Sequence, residues 1–435
     1  MDTKAIASIV VFLVCYFLII IEYSPRVFIA LAGSFLLVFL QIYTPKEVAL
    51  YVDWETIGFL FGIFIIVKII EKSGFFNYFA LLLARKLDFN PVKVFIFFPF
   101  MACILSSVMD SITVITFLVP LTYALSEILE FDPVLYVVAE VCLANIGGAG
   151  TVMGDPPNVV LASMFNLGFT DFLKHNWILS MLAAWGAIGV FYLLHKKTLT
   201  KLNNKLKKEE LKKKIIPVKT IDNTFLMFTG LLSLGITIVF LVGRDFIRDI
   251  LPMNMALASL IPSFALLAIK GQHSEMKDIL KEIDIETLLF LSGLFVIVGA
   301  LEKTGVMRAL ASSIQGFADN PMGMVSAIFW GGAITSGIID NVPEAMTLGY
   351  LIKNLAPVLT YSFTLLVWAA SLGLDIGGNF TPVGASANVV GYTFLEKQKG
   401  RIGWGRWVKL AFLPTLTALI ICKIGLFLKY LMGFY

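Results

Sequence analysis

Apolar residues in this chain gather into long runs instead of alternating or marking one face of a helix. Runs at 5–21, 27–43, 57–71, 177–195, 225–243, 251–269, 287–301 and 408–430 predict helices close to the about 20 residues that cross a hydrocarbon core of about 30 Å. Two further regions, 92–167 and 321–395, are equally apolar but interrupted by Gly, Pro, Asn and Asp. They cannot be simple spans, because lipid tolerates irregular backbone only where protein or trapped water satisfies its polar groups. Their breaks are therefore expected inside the protein. The first run follows Lys4 as a signal peptide would, but no small-x-small cleavage site precedes Glu22 and a second run starts at Val27. It reads as a retained first helix.

The pattern occurs twice. Asp53-Trp54-Glu55-Thr56 through Glu71-Lys72-Ser73-Gly74 resembles Asp284-Ile285-Glu286-Thr287 through Glu302-Lys303-Thr304-Gly305 at an offset of 231. At 230, Asp110 answers to Asp340, Asn145-Ile146-Gly147-Gly148 to Asp375-Ile376-Gly377-Gly378, and Asn158-Val159-Val160 to Asn388-Val389-Val390. So little slippage marks a duplication. Residues 1–195 form one half, 223–435 the other, and 196–222 a basic linker.

Composition turns this pattern into a class. The 435 residues are 58% hydrophobic and 15% charged, with a mean hydropathy of +0.87, whereas soluble domains carry about 25% charged residues. Disorder and a disulfide-stapled secreted fold are excluded by the same numbers, and Cys15, Cys103, Cys142 and Cys422 stand isolated. The expected fold is an all-α polytopic membrane protein. Lys196 to Lys219 holds ten lysines against Glu209 and Glu210. Between apolar runs this reads as a cytoplasmic loop, not as a nucleic-acid site. Lys72, Arg85, Lys86, Lys93, Lys270, Lys277, Lys281, Lys397, Lys399, Arg401 and Arg406 then also fall inside, while 44–56, 168–176 and 244–249 hold few basic residues. Equivalent loops thus lie on opposite sides, so the repeats are inverted and both termini are outside. Inverted repeats with matched broken helices point to alternating access around a midplane site. The abundance of Lys and Ile suits the plasma membrane of a prokaryote.

Ser106–Thr113 and Thr335–Pro343 each join apolar runs too short to span, the pattern of a re-entrant helical hairpin. A hairpin tip frees carbonyls at one helix end and amides at the next. Asp110 and Asp340 place a carboxylate at each tip, with Ser111, Thr113 and Asn341 beside them. An acid at the midplane costs about 2.5–3.5 kcal/mol, so each should face a polar cavity, a cation or a proton; capping of the second hairpin helix is compatible with that. The other breaks carry Asn145, Gly147, Gly148, Asp155 and Asn158 in the first half, and Asp375, Gly377, Gly378, Asn379 and Asn388 in the second. Glycine pairs permit unusual dihedrals and close approach, prolines interrupt the helical ladder, and Asp155 before Pro156 fits an N-cap. These segments predict discontinuous helices whose carbonyls and Asn or Asp side chains could coordinate sodium, notably at Asn145 and Asp375.

The acids also discriminate between cargoes. An anion site needs helix N-termini and hydroxyls, with an Arg as an optional addition, and few unpaired carboxylates. The broken regions instead hold Asp110, Glu140, Asp155, Asp340, Glu344 and Asp375, and beyond Lys93 at the leading edge their one base is Lys353. Crowded buried acids cannot all ionise, and a shared set of protons that a cation displaces is what sodium–proton exchange requires. Asp110 and Asp340 are the expected proton-coupled pair, with Glu140, whose repeat partner is Ala370, as a third candidate. Glu344 is expected to bond a neighbouring amide.

At these residues the chain resembles the ArsB/NhaD/melanosomal P-protein branch of the ion transporter superfamily, most strongly at Ala144–Val160, Ser336–Pro343 and Gly373–Val390 and in the motif Gly154-Asp155-Pro156-Pro157-Asn158. The related dicarboxylate carriers usually have a Ser-Asn-Thr tip, where this chain reads Asp110-Ser111-Ile112-Thr113 and Asp340-Asn341-Val342-Pro343. The resemblance implies a scaffold domain, often dimerising, and a transport domain that moves against it. It leaves the cargo open among sodium exchanged for protons, arsenite or antimonite, and organic or inorganic anions.

The residues thus predict a secondary active transporter of a small inorganic ion in a lipid bilayer, with no cofactor beyond a coupling Na+ or H+. A homodimer is the oligomer the resemblance allows. Cation–proton exchange is the leading reading. Metalloid efflux is a rival, since Cys142 lies a turn before Asn145 and Cys103 about two turns before Asp110. Re-entrant hairpins also build channels, but a pore usually takes its symmetry about the membrane normal. Catalysis has no footing in G-x-x-x-x-G-K-[ST], H-E-x-x-H or G-x-S-x-G, none of which occurs.

Overall fold

The computed structural model describes residues 2–21, 23–205, 221–247, 253–268, 279–399 and 402–434, and every regular element among them is helical. The chain opens with α1 (Thr3–Ile20), α2 (Arg26–Phe39), the short α3 (Pro45–Tyr51) and α4 (Trp54–Lys72). There follow α5 (Phe75–Lys86), α6 (Pro91–Ser106), α7 (Ser111–Leu129), α8 (Pro133–Gly148), α9 (Pro156–Phe165), α10 (Phe169–Phe172) and α11 (Ile178–Lys205). Beyond the basic segment come α12 (Thr224–Ile247), α13 (Met255–Ala268), α14 (Ile285–Lys303), α15 (Val306–Ile314), α16 (Pro321–Ser336), α17 (Asn341–Leu355), α18 (Thr364–Gly377), α19 (Ser386–Lys399) and α20 (Trp404–Leu431). Among the described residues five stretches are long and apolar enough to cross a membrane: Thr3–Ile20, Phe169–Leu202, Thr224–Arg244, Ile285–Lys303 and Trp404–Leu431. α3 and α4 add a span bent by 61°. Helix α11 runs on to Lys205, ten residues into the expected linker. Most of that linker, with Lys270, Lys277 and Arg401, lies outside the described residues.

The duplicated sequence makes duplicated local structure. Asp53 caps α4 through the amides of Glu55 and Thr56 at 3.0 and 3.2 Å, and Asp284 caps α14 through Thr287 at 2.9 Å. Each cap contributes about 1 kcal/mol. Both helices end at a glycine with φ of 78°, Gly74 and Gly305, a left-handed turn that a side chain would strain. α4 and α14 nonetheless run in opposite directions. Glu282, just before α14, pairs with Lys72 at 2.8 Å and Lys68 at 3.4 Å near the end of α4. Lys303, at the end of α14, pairs at 2.6 Å with Glu47, which precedes α4. Lys72 and Lys68 hold the Glu282 carboxyl below its usual range. The repeats are inverted.

The inversion defines two ends. At one, Asp222 follows the basic segment and donates its amide to Ser73 at 3.0 Å; this is the linker end. At the other, the Lys4 ammonium reaches the Gln41 carbonyl at 2.9 Å, and that of Lys429 reaches those of Lys174 and His175 at 2.9 and 2.6 Å. Residues near both termini thus share the end opposite the linker.

Helices α1, α2, α4, α12, α13 and α14 pack into one group, and α6–α9, α11 and α16–α20 into another. The halves are interleaved: α2 of the first lies along α14 of the second, and α13 along α4. Close approach explains the glycines there. A Cβ on Gly293 would fall 2.9 Å from the Ala30 carbonyl carbon, and one on Gly62 2.7 Å from that of Ser259. Gly293→Val should therefore cost about 1–3 kcal/mol by overpacking, seen as a lower melting temperature in detergent. Gly235→Ala, whose added Cβ meets nothing within 4 Å, should leave it unchanged.

Candidate functional site

Helices α6 and α7, and likewise α16 and α17, form hairpins whose tips end inside the protein. The tips are 107–110 and 337–340. Each turns on its aspartate as an N-cap: Asp110 accepts the amide of Thr113 at 2.8 Å and its hydroxyl at 2.7 Å, and Asp340 accepts the amide of Val342 at 3.1 Å. Facing the tips, α8 breaks into α9, and α18 into α19. The glycine pairs at these breaks serve close approach, not unusual dihedrals, since none has a positive φ. A Cβ on Gly147 would lie 2.0 Å from the Cys103 carbonyl oxygen, and one on Gly377 2.4 Å from that of Ala333.

A break in lipid exposes carbonyls, and here the same side chains answer in both halves. The Asn158 amide donates to the carbonyls of Gly148 and Thr151 at 2.9 and 3.0 Å; that of Asn388 donates to Gly378 and Thr381 at 2.8 and 2.7 Å. The Thr151 hydroxyl reaches the Ser107 carbonyl and the Thr381 hydroxyl the Gly337 carbonyl, both at 2.6 Å. These threonines tie each tip to its broken helix. Asn158 and Asn388, expected as cation ligands, are thus engaged as braces, and the carbonyls they hold are engaged too. Their remaining oxygens accept from Ser371 at 2.6 Å and from Asn145 at 2.7 Å. Asn145 also donates to Asn379 at 2.8 Å. Asn176, in the π-helical turn Leu173–Trp177, donates to Ser371 at 2.8 Å.

Two acids complete this centre. Asp155 is 4% exposed and Asp375 fully buried. Asp155 sits at the cap position of α9 but caps nothing; its carboxylate accepts the Ser111 hydroxyl from the first tip at 2.5 Å. Asp375 accepts the Asn341 amide from the second tip at 3.2 Å. Each keeps one buried carboxylate oxygen without a hydrogen-bond partner, as does the side-chain oxygen of Asn145. Asn341, which bonds Asp375, also lines the cavity that Asp155 faces.

The expected pair of tip acids is not brought together in one cavity. Asp110 opens into a cavity of about 190 Å³ with Lys68, Glu71, Glu282 and Asp284. Asp340 lies between the tips, in a cavity of about 20 Å³ with Ser111, Asp155, Asn341, Ser386 and Arg26. Arg26 corrects the expectation that Lys353 is the only base here: its guanidinium meets Asp340 and the Ser386 hydroxyl, each at 2.9 Å. It is the one basic residue between Lys4 and Lys46, a signal visible in the sequence but outside the broken regions. Ser371 and Asn176 were also missed, as single polar residues in apolar runs. Glu140 is buried in α8, away from both tips, and accepts the Thr122 hydroxyl at 2.5 Å. Glu344 accepts the Thr335 hydroxyl, not an amide. The four cysteines are buried and free, and among the described residues no group of three or more His, Cys, Asp or Glu is placed to hold a metal ion.

Larger cavities of about 620 and 520 Å³ lie beside Glu396 and Trp404, and beside Tyr23, Arg26 and Glu286. The Asp110 cavity lies near the linker end, since Glu282, which pairs with Lys72, lines it.

Inverted repeats, paired re-entrant hairpins and a buried polar centre at four helix breaks define a membrane-embedded secondary transporter. The sequence profile of the citrate transporter family (CitMHS) matches residues 16–373, and the chain belongs to that family, within the ion transporter superfamily. It is similar to an uncharacterised transporter of Mycobacterium bovis, 29% identical with 98% of this chain and 99% of that one covered. It is also 26% identical to the P protein of Mus musculus, covering 98% of this chain and 60% of that protein. Its fold is shared with the YdaH transporter of Alcanivorax borkumensis (TM-score 0.57, 13% identity, 87% and 86% covered). The MtrF antimetabolite efflux pump of Neisseria gonorrhoeae is similar too (TM-score 0.59, 12% identity, 98% and 94% covered).

Because the braces satisfy buried carbonyls, Asn158→Ala and Asn388→Ala should each destabilise the protein by about 1–3 kcal/mol. Denaturation midpoints in detergent check this, and both should fall.

Proposed function

We propose that this transporter exchanges a small alkali cation, sodium or lithium, for protons, with Asp155 and Asp375 as the exchange pair. The observation that carries this is their shared burial with a free carboxylate oxygen each, while neither has a basic side chain among its described hydrogen-bond or ion-pair partners. Two such acids are stable only when protonated or when sharing a cation. The about 20 Å³ cavity beside Asp155 has room for one water or one dehydrated ion. In this reading the lysine-rich linker end faces the cytoplasm, and the structure is the inward-open state.

A second reading, transport of a carboxylate, is favoured by Arg26 between the tips and by the family's description. Against it, the Arg26 guanidinium already meets Asp340 at 2.9 Å.

Proteoliposomes with an acidic lumen and a trapped pH dye test the proposal. Sodium or lithium added outside should dequench the dye, whereas choline should not. Asp155→Asn and Asp375→Asn should each lower the rate by at least about tenfold while the variants elute as folded protein. No response to any alkali cation would overturn exchange and turn the assay to carboxylates.

A further inference from the structure

The repeats agree in their braces but differ in how they neutralise the tip acids. In the first tip, Thr113 alone accounts for both carboxylate oxygens of Asp110. In the second, one oxygen of Asp340 caps α17, and the other accepts from Arg26 at 2.9 Å and from Ser386 at 3.0 Å. The Arg26 side chain is 35% exposed and that of Asp340 10%. The guanidinium also lies 5.2 Å above the Phe290 ring of α14. Where α2 crosses α14 the repeat offset is 229, Ala30 answering to Ser259 at the equivalent glycine contacts. The position equivalent to Arg26 is therefore Met255. No basic residue stands at this position in the other half.

Its two ends also belong to different packing groups. Arg26 begins α2, which is fixed along α14, whereas Asp340 and Ser386 belong to the group of hairpins and broken helices. Displacement of one group against the other must separate Arg26 from Asp340.

We infer that Arg26 is a tethered counter-cation of the transport site. This rests on the cation-exchange reading. In the state open at the linker end, the guanidinium occupies an Asp340 oxygen and competes with the transported ion, promoting its release. When the hairpin group moves away, α2 keeps Arg26, and Asp340 must take a cation or a proton in its place. Arg26 is a positioning residue acting through Asp340, and its charge, not its volume, is the property used.

Equilibrium binding of radioactive sodium to the purified protein, by scintillation proximity, tests this. Arg26→Gln should tighten binding by at least about tenfold and slow exchange in proteoliposomes. Arg26→Lys should keep the constant within about threefold of the original. In the Asp340→Asn background, adding Arg26→Gln should change nothing, because the partner is already neutral. That last comparison stands even if Arg26→Gln alone fails to fold. A wild-type protein that binds no alkali cation would overturn the exchange reading itself. Wild-type binding with an unchanged or weaker constant in Arg26→Gln, or a difference between Asp340→Asn and the double variant, would overturn the counter-cation role alone.

Discussion

A backbone that stops being helical partway across a bilayer must find a partner for each amide and carbonyl it frees, because the lipid supplies none. Four such interruptions lie side by side here, and the rest of the structure follows from how they are satisfied. Asn158 and Asn388 hold the carbonyls of the broken helices, and Thr151 and Thr381 carry a bond onward to the hairpin tips. Gly147 and Gly377 let the broken helices come near enough for those bonds to form. The tips and breaks are thereby tied to one another by side-chain hydrogen bonds.

Onto this symmetric frame the chain places asymmetric chemistry. Asp155 has Ala385 as its counterpart, Asp375 has Asn145, Glu140 has Ala370, and Arg26 has Met255. Each tip also contacts its own acid: Ser111 bonds Asp155, and Asn341 bonds Asp375. In the proposed exchange, the two inverted halves converge on a single off-symmetric acid pair. Inversion supplies two related packings of the same frame, which alternating access needs, and the proposal assigns the site to the unique residues.

Local signals made much of this legible in the sequence. The tip aspartates depend on neighbours a few residues away, as do the segments Asp53–Gly74 and Asp284–Gly305, and their repetition at offsets of 230 and 231 raised them above chance. Long-range pairings left no such trace. Arg26 meets Asp340 across 314 positions and Asn176 meets Ser371 across 195, so neither could be read from spacing. Where the reading went astray, competing partners decided. Asp155 has the sequence of an N-cap, yet its carboxylate is drawn to Ser111 on another element. Asn158 and Asn388 have the chemistry of ligands, but buried carbonyls claim them first. The glycine pairs were legible as breaks, though only packing reveals that they serve contact.

The central claim is that one buried acid site is presented to the two sides of the membrane in turn. The most direct measurement places a single cysteine at Ser386, which lines the cavity between the tips, in a variant lacking the four native cysteines. A membrane-impermeant maleimide is then applied from either face of the reconstituted membrane. Labelling is expected from one face at a time, with sodium and pH shifting which face is open. Simultaneous labelling from both faces under one condition would mean a continuous pore and would contradict that claim.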